Sequence, residues 1–92
     1  MAVGVLMEFA SGDNAAYDRV LERMGLTDGV PPTGGLYHVA GETNGGFRVV
    51  DVWESAEQFQ KFAEEQIAPL SAAEGFPPPE ITMWEVHNTM SA

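Results

Sequence analysis

A histidine ionises near neutral pH, with an ordinary pKa of about 6.5. Beside a carboxylate, which fixes its tautomer, it makes a general base. This chain has two histidines, His38 and His87. His38 stands in the run GLYHVAG, and Asp51 in the run FRVVDVWE. Phe47, Val49, Asp51 and Trp53 alternate with Arg48, Val50, Val52 and Glu54, the period-two pattern of a strand. One face of that strand therefore carries an acid and an indole among apolar neighbours. Asn44-Gly45 between the runs is a strong hairpin signal, suited to a type I′ turn. With those two as the loop, Thr43 faces Gly46, His38 faces Asp51 and Leu36 faces Trp53. Directly opposed residues point to one side of a sheet. The pattern predicts a His38–Asp51 pair on the Trp53 face. It reads equally as a base oriented by an acid and as a structural hydrogen-bonded pair under helices.

Other chemistries are poorly served. The chain has no cysteine, and its two histidines are far apart, so no metal site is expected. No nucleophile–base–acid triad or Gly-rich phosphate loop is visible. Fourteen acids against four bases give a formal charge of −10. Arg19, Arg23, Arg48 and Lys61 are too scattered for nucleic acid or an anionic membrane surface. No apolar run is long enough to span a bilayer and no leader-like N-terminus is seen, so a cytoplasmic protein is expected.

The elements that must hold the pair follow from spacing. Val3–Phe9 reads as a central strand. Asp13 caps a helix whose Tyr17, Val20, Leu21 and Met24 form an apolar stripe, with Gly25 as its stop. The stretch TDGVPPTG is a stiff loop, a plain connection or the rim of a cavity. Residues 35–41 and 47–53 make the hairpin strands. Ser55 and Gln58 form a capping box opening a helix with Phe59, Phe62, Ala63 and Ile67 inward. Pro69 predicts a kink or a second short helix. After the Pro77-Pro78-Pro79 spacer, residues 80–88 read as the last strand. The order is β-α-β-β-α-β, a ferredoxin-like α+β fold. It has a four-stranded antiparallel sheet with two helices on one face, as a single domain over residues 1–92.

A chain this short buries only about 60–65% of its unfolded surface. It lacks disulfides and metal ligands, and one sheet face has nothing in the chain to cover it. A homodimer packed sheet to sheet answers both needs.

The stretch Phe47–Phe59 in this topology resembles the dimeric α+β barrel superfamily, and more closely antibiotic biosynthesis monooxygenase-like domains. These carry an acid, a spacer and Trp-Glu-Ser on the third strand; Asp51, Trp53, Glu54 and Ser55 match. With LYHVAG, VVDVWES and the closing VHN, the chain is similar to small actinobacterial proteins of that superfamily. The resemblance implies a small-molecule site between sheet and helices. It also departs from known members. Cofactor-free quinone-forming monooxygenases of this kind have an Asn where this chain has Val49. Haem-degrading relatives use a histidine on the second helix and an Asn on the first strand, both absent here, so no cofactor is expected.

Two functions follow. One is a cofactor-independent enzyme acting on an aromatic or polyketide-like molecule, by proton transfer, isomerisation, cyclisation or oxygenation. His38 and Asp51 are then catalytic, and Trp53, Tyr17, Phe62 and His87 surround the ligand. The other is a non-catalytic dimeric module that binds a ligand or serves structure.

Overall fold

The computed structural model describes all 92 residues. Its elements run β1 (Val3–Phe9), α1 (Asn14–Met24), β2 (Gly35–Thr43), β3 (Gly46–Trp53), α2 (Ala56–Phe62), a wide π turn (Ala63–Ile67), α3 (Ala68–Ala73) and β4 (Glu80–Glu85). The strands form one antiparallel sheet in the order β2-β3-β1-β4. This is the ferredoxin-like α+β arrangement expected from the spacing, with β1 and β3 central. The last strand is shorter than residues 80–88, though Val86 N–H still donates to Ala2 O at 3.0 Å.

The inner face buries Val3, Val5, Met7 and Phe9 from β1, and Phe47, Val49 and Trp53 from β3, beneath the helices. The outer face carries Leu6, Val39, Val50, Val52, Tyr37 and Trp84. Of these, Tyr37 is 60% exposed, Val39 49% and Trp84 47%. No element of the chain covers them.

The helix ends are set by local chemistry. Asp13 Oδ1 accepts the Ala16 N–H at 2.8 Å, and Gly25, at φ 76°, closes α1. Glu42 at the far end of β2 accepts the Asn14 N–H at 2.8 Å, tying the start of α1 to the β2 edge. Ser55 Oγ accepts the Gln58 N–H at 3.2 Å. The reciprocal half of the expected box differs: Gln58 Oε1 accepts the Ser55 hydroxyl at 2.9 Å. Pro69 breaks nothing. The chain widens into the π turn just before it, where a proline ring would otherwise clash with the carbonyl four residues back. Arg19 and Arg23 both reach Glu74 at 2.7 Å, joining α1 to the end of the α2–α3 arm.

Two details of the hairpin correct the expectation. The loop is two residues and the register holds: Thr43 pairs with Gly46 and His38 with Asp51. The turn is not type I′, because only Gly45 has positive φ (92°). A turn with positive φ at its second central residue alone closes the same loop. A bulge then separates Gly35 from Tyr37, so Gly35 rather than Leu36 faces Trp53. Leu36 is the unpaired residue.

Gly12 links β1 to α1 at φ 137°, and a Cβ there would lie 2.1 Å from the Phe76 ring. Phe76 packs edge-on against Phe9 and Phe47, with ring centroids at 5.1 and 5.6 Å. Gly12→Ala combines backbone strain with displacement of that ring and should cost about 1–3 kcal/mol. Thermal melts check it, at roughly 4–8 °C per kcal/mol for a domain of this size.

Candidate functional site

Asp51 sits in the middle of β3 on the inner face and is 5% exposed. A carboxylate buried among Val, Phe and Trp side chains is costly unless both oxygens receive donors. Both do. Trp53 Nε1–H donates to Oδ2 at 3.1 Å, and His38 Nδ1 lies 2.5 Å from Oδ1. Because the carboxylate only accepts, a neutral His38 carries its hydrogen on Nδ1 and leaves Nε2 as its acceptor. That nitrogen is met by the Tyr17 hydroxyl from α1. The donors all run one way: Tyr17 to His38, His38 to Asp51, and Trp53 to Asp51.

Each member is held by packing. The Tyr17 and His38 rings lie nearly parallel, 9° apart with centroids at 5.9 Å. Tyr17 stacks on Phe47 at 5.1 Å. Trp53 is pinned by Phe59 at 5.7 Å and Phe62 at 5.4 Å from α2. Burial and the charge of Asp51, in that order, disfavour the Tyr17 phenolate, and its pKa is pushed up to about 12.

The chain of donors opens on a cavity of about 530 Å³ between sheet and helices. Tyr17, Trp53 and Phe62 line it, as do His38 and Asp51. His87 does not: it lies beyond the end of β4, exposed, because β4 stops at Glu85. The walls also hold residues that the sequence left unassigned. Phe76, Met7, Phe9 and Ile67 line the interior. The Val30-Pro31-Pro32 loop, Leu26 and the bulged Leu36 border the side toward β2. The paired prolines were the signal for that rim. Phe76 had a weaker one, an aromatic residue placed between a helix-ending glycine and a polyproline spacer. No Lys or Arg lines the cavity. No group of three His, Asp or Glu side chains has metal-ligand geometry, and no helix is long and apolar enough to cross a membrane.

Comparison with solved structures places this fold. A proposed antibiotic biosynthesis monooxygenase from Chloroflexus aurantiacus superposes with a TM-score of 0.65 at 11% identity, over 99% of this chain and 98% of its own. SnoaB, a cofactor-independent oxygenase from Streptomyces nogalater, superposes at 0.62 and 14% identity over 99% and 97%. A variant of MhuD with two manganese protoporphyrin IX molecules per active site superposes at 0.56 and 17% identity over the whole of both chains. No family model and no curated protein matches the sequence. The chain has the fold of antibiotic biosynthesis monooxygenase-like proteins, in agreement with the resemblance carried by Asp51, Trp53, Glu54 and Ser55.

The raised Tyr17 pKa has a stability consequence. The folded state holds the Tyr17 proton up to about pH 12, whereas an unfolded tyrosine loses it near pH 10. Folding therefore retains the extra proton between those values, and stability falls as pH rises through them. Below about pH 10 this contribution is fully present. A Tyr37→Phe variant leaves Tyr17 as the only phenol. Its absorbance near 295 nm should rise with a midpoint near pH 12 rather than pH 10, provided the fold survives, which circular dichroism monitors.

Proposed function

We propose that this chain is a cofactor-independent enzyme that moves a proton on a small, largely apolar aromatic or polyketide-like molecule held between sheet and helices. The observation that carries the reading is the His38–Asp51–Trp53 network at the wall of a cavity of about 530 Å³. Mostly apolar walls with a few convergent polar groups are the usual form of a small-molecule site. Asp51 fixes the orientation and tautomer of the His38 imidazole. The carbanion or phenolate so produced serves isomerisation or cyclisation, and it is also the species that a cofactor-independent oxygenase of the SnoaB kind would need. The cavity lining does not suit a metalloporphyrin of the kind bound by the MhuD variant. It offers no Lys or Arg for the propionates, and both His38 nitrogens are engaged within the protein.

The working unit in this reading is a homodimer in the cytoplasm, with the apolar outer face of one sheet covered by that of a second copy. Sedimentation equilibrium at low micromolar concentration should give twice the chain mass. A fully folded monomer there would defeat the homodimer.

2-Tetralone, a neutral bicyclic ketone with acidic hydrogens next to its carbonyl, probes the chemistry. The protein should accelerate exchange of those hydrogens in D₂O, read by proton NMR. His38→Gln should lose about 10²-fold or more of that acceleration, the usual contribution of a positioned base, while still folding. The competing reading is the non-catalytic module. It predicts that the wild type gives no acceleration and that His38→Ala lowers stability by about 1–3 kcal/mol, because the buried Asp51 loses a partner.

A further inference from the structure

His38 cannot itself meet a substrate in the arrangement observed. Its two ring nitrogens are both taken, Nδ1 by Asp51 and Nε2 by the Tyr17 hydroxyl. A neutral imidazole has one acceptor, and Tyr17 occupies it. Asp51 is 5% exposed, with His38 on one oxygen and Trp53 on the other. The next acceptor outward is the Tyr17 oxygen. A hydroxyl donates one hydrogen and accepts at two lone pairs, so giving its hydrogen to His38 leaves Tyr17 Oη able to accept another. Tyr17 lines the cavity and is half-buried, and its ring is clamped on Phe47.

We infer that Tyr17 is the catalytic residue that touches the substrate, and that His38 and Asp51 act through it as a proton relay. This rests on the proton-transfer reading above and assigns its reacting atom. The substrate proton passes to Tyr17 Oη as the Tyr17 hydroxyl proton passes to His38 Nε2. The electron pair of the broken C–H or O–H bond stays on the substrate as an enolate or phenolate. His38 becomes an imidazolium between Tyr17 and Asp51, and its charge is balanced by Asp51. Reversal returns a proton through Tyr17 to the same atom or to another on the substrate. No oxidant, metal or second substrate is required.

The relay also explains how a phenol with so high a pKa works at neutral pH. Free Tyr17 phenolate is scarce, and burial near Asp51 makes it scarcer. A concerted shift never forms the isolated phenolate, because one proton arrives as the other leaves. The ligand class follows from the same atom: a compound with a carbon acid next to a carbonyl, or a phenol, that can place that group against Tyr17 Oη. A ligand lacking any such hydrogen would fill the cavity without reacting.

The test compares the full chain with Tyr17→Phe, His38→Gln and the double variant on 2-tetralone exchange. Binding is followed separately by tryptophan quenching in a Trp84→Phe background, which leaves Trp53 at the cavity as the reporter. Tyr17→Phe keeps the ring and its stacking and removes only the oxygen. The expected result is a loss of about 10²-fold or more in exchange for Tyr17→Phe, with the 2-tetralone Kd changed less than about threefold. The double variant should be no slower than the slower single one, since the groups act as a unit. If Tyr17→Phe keeps wild-type exchange while His38→Gln loses it, the proton reaches His38 directly; the relay is then wrong and the proton-transfer reading stands. If Tyr17→Phe loses exchange and binding in equal proportion, Tyr17 serves only to hold the ligand, and the relay is again overturned. If the wild type does not accelerate exchange at all, both fall together.

Discussion

One buried carboxylate organises this molecule. Asp51 is 5% exposed in a sheet face otherwise built from Val, Phe, Met and Trp. Leaving either of its oxygens without a donor would cost a large part of the stability of so small a domain. Trp53 and His38 supply the two donors, and each in turn fixes an element. The indole is held by Phe59 and Phe62, which sets α2 over the sheet. The imidazole comes from the edge strand β2, and its second nitrogen is met by Tyr17, which seats α1 above β2. Glu42 secures the same helix at its first residue. Both helices thus touch the network around one side chain.

The cavity is the other constraint, and it pulls against the first. Protein interiors pack as densely as organic crystals, and an empty volume forfeits contacts along all of its walls. A chain of 92 residues with a core cluster of twelve buried side chains has little to spare. The helices pack on the sheet through Val20, Phe59 and Ile67, yet leave a space of about 530 Å³ against it. Three features border or brace that space. The Tyr17–His38 contact spans it from α1 to β2. Arg19 and Arg23 link α1 to Glu74 at the end of the α2–α3 arm. The stiff Pro31-Pro32 loop forms the rim.

How much of this was legible in the sequence depends on what kind of geometry was asked for. Period-two alternation and a two-residue turn fix which residues oppose one another, so the His38–Asp51 pairing could be counted out from Asn44-Gly45. The bulge at Leu36 could not, because an unpaired residue leaves the alternation of its neighbours intact on either side. Helix caps at Asp13, Gly25 and Ser55 were readable, since each satisfies backbone groups within a few residues. The π turn before Pro69 was not, because a proline announces a disturbance without saying how the chain absorbs it. Tyr17 shows the deeper limit. Its place on the inward stripe of α1 was plain from spacing, but its contact with His38 depends on how α1 lies across the sheet. That angle is a property of packing between distant segments. Phe76 was hidden for the same reason, whereas the Pro31-Pro32 rim was readable as one of two alternatives.

The charge distribution narrows what such a site can receive. The chain carries fourteen acids and four bases, and three of those bases are spent in ion pairs, Arg19 and Arg23 with Glu74 and Arg48 with Glu8. None lines the cavity, where Asp51 is the only acid. A carboxylate or phosphate ligand would approach through a field of its own sign and find no counter-charge inside, which opposes both its encounter and its burial. A neutral ligand meets neither penalty. Its apolar body replaces water along walls of Met, Phe, Val and Trp, each square ångström contributing about 25 cal/mol. The same absence of cations matters once a proton has moved. In the proposed reaction an enolate in the cavity would have no Lys or Arg to stabilise it, and its nearest positive partner would be the His38 imidazolium produced in the same step. That ion pair would be created and erased together, which would keep the charge transient and favour return of the proton over release of an ionised product.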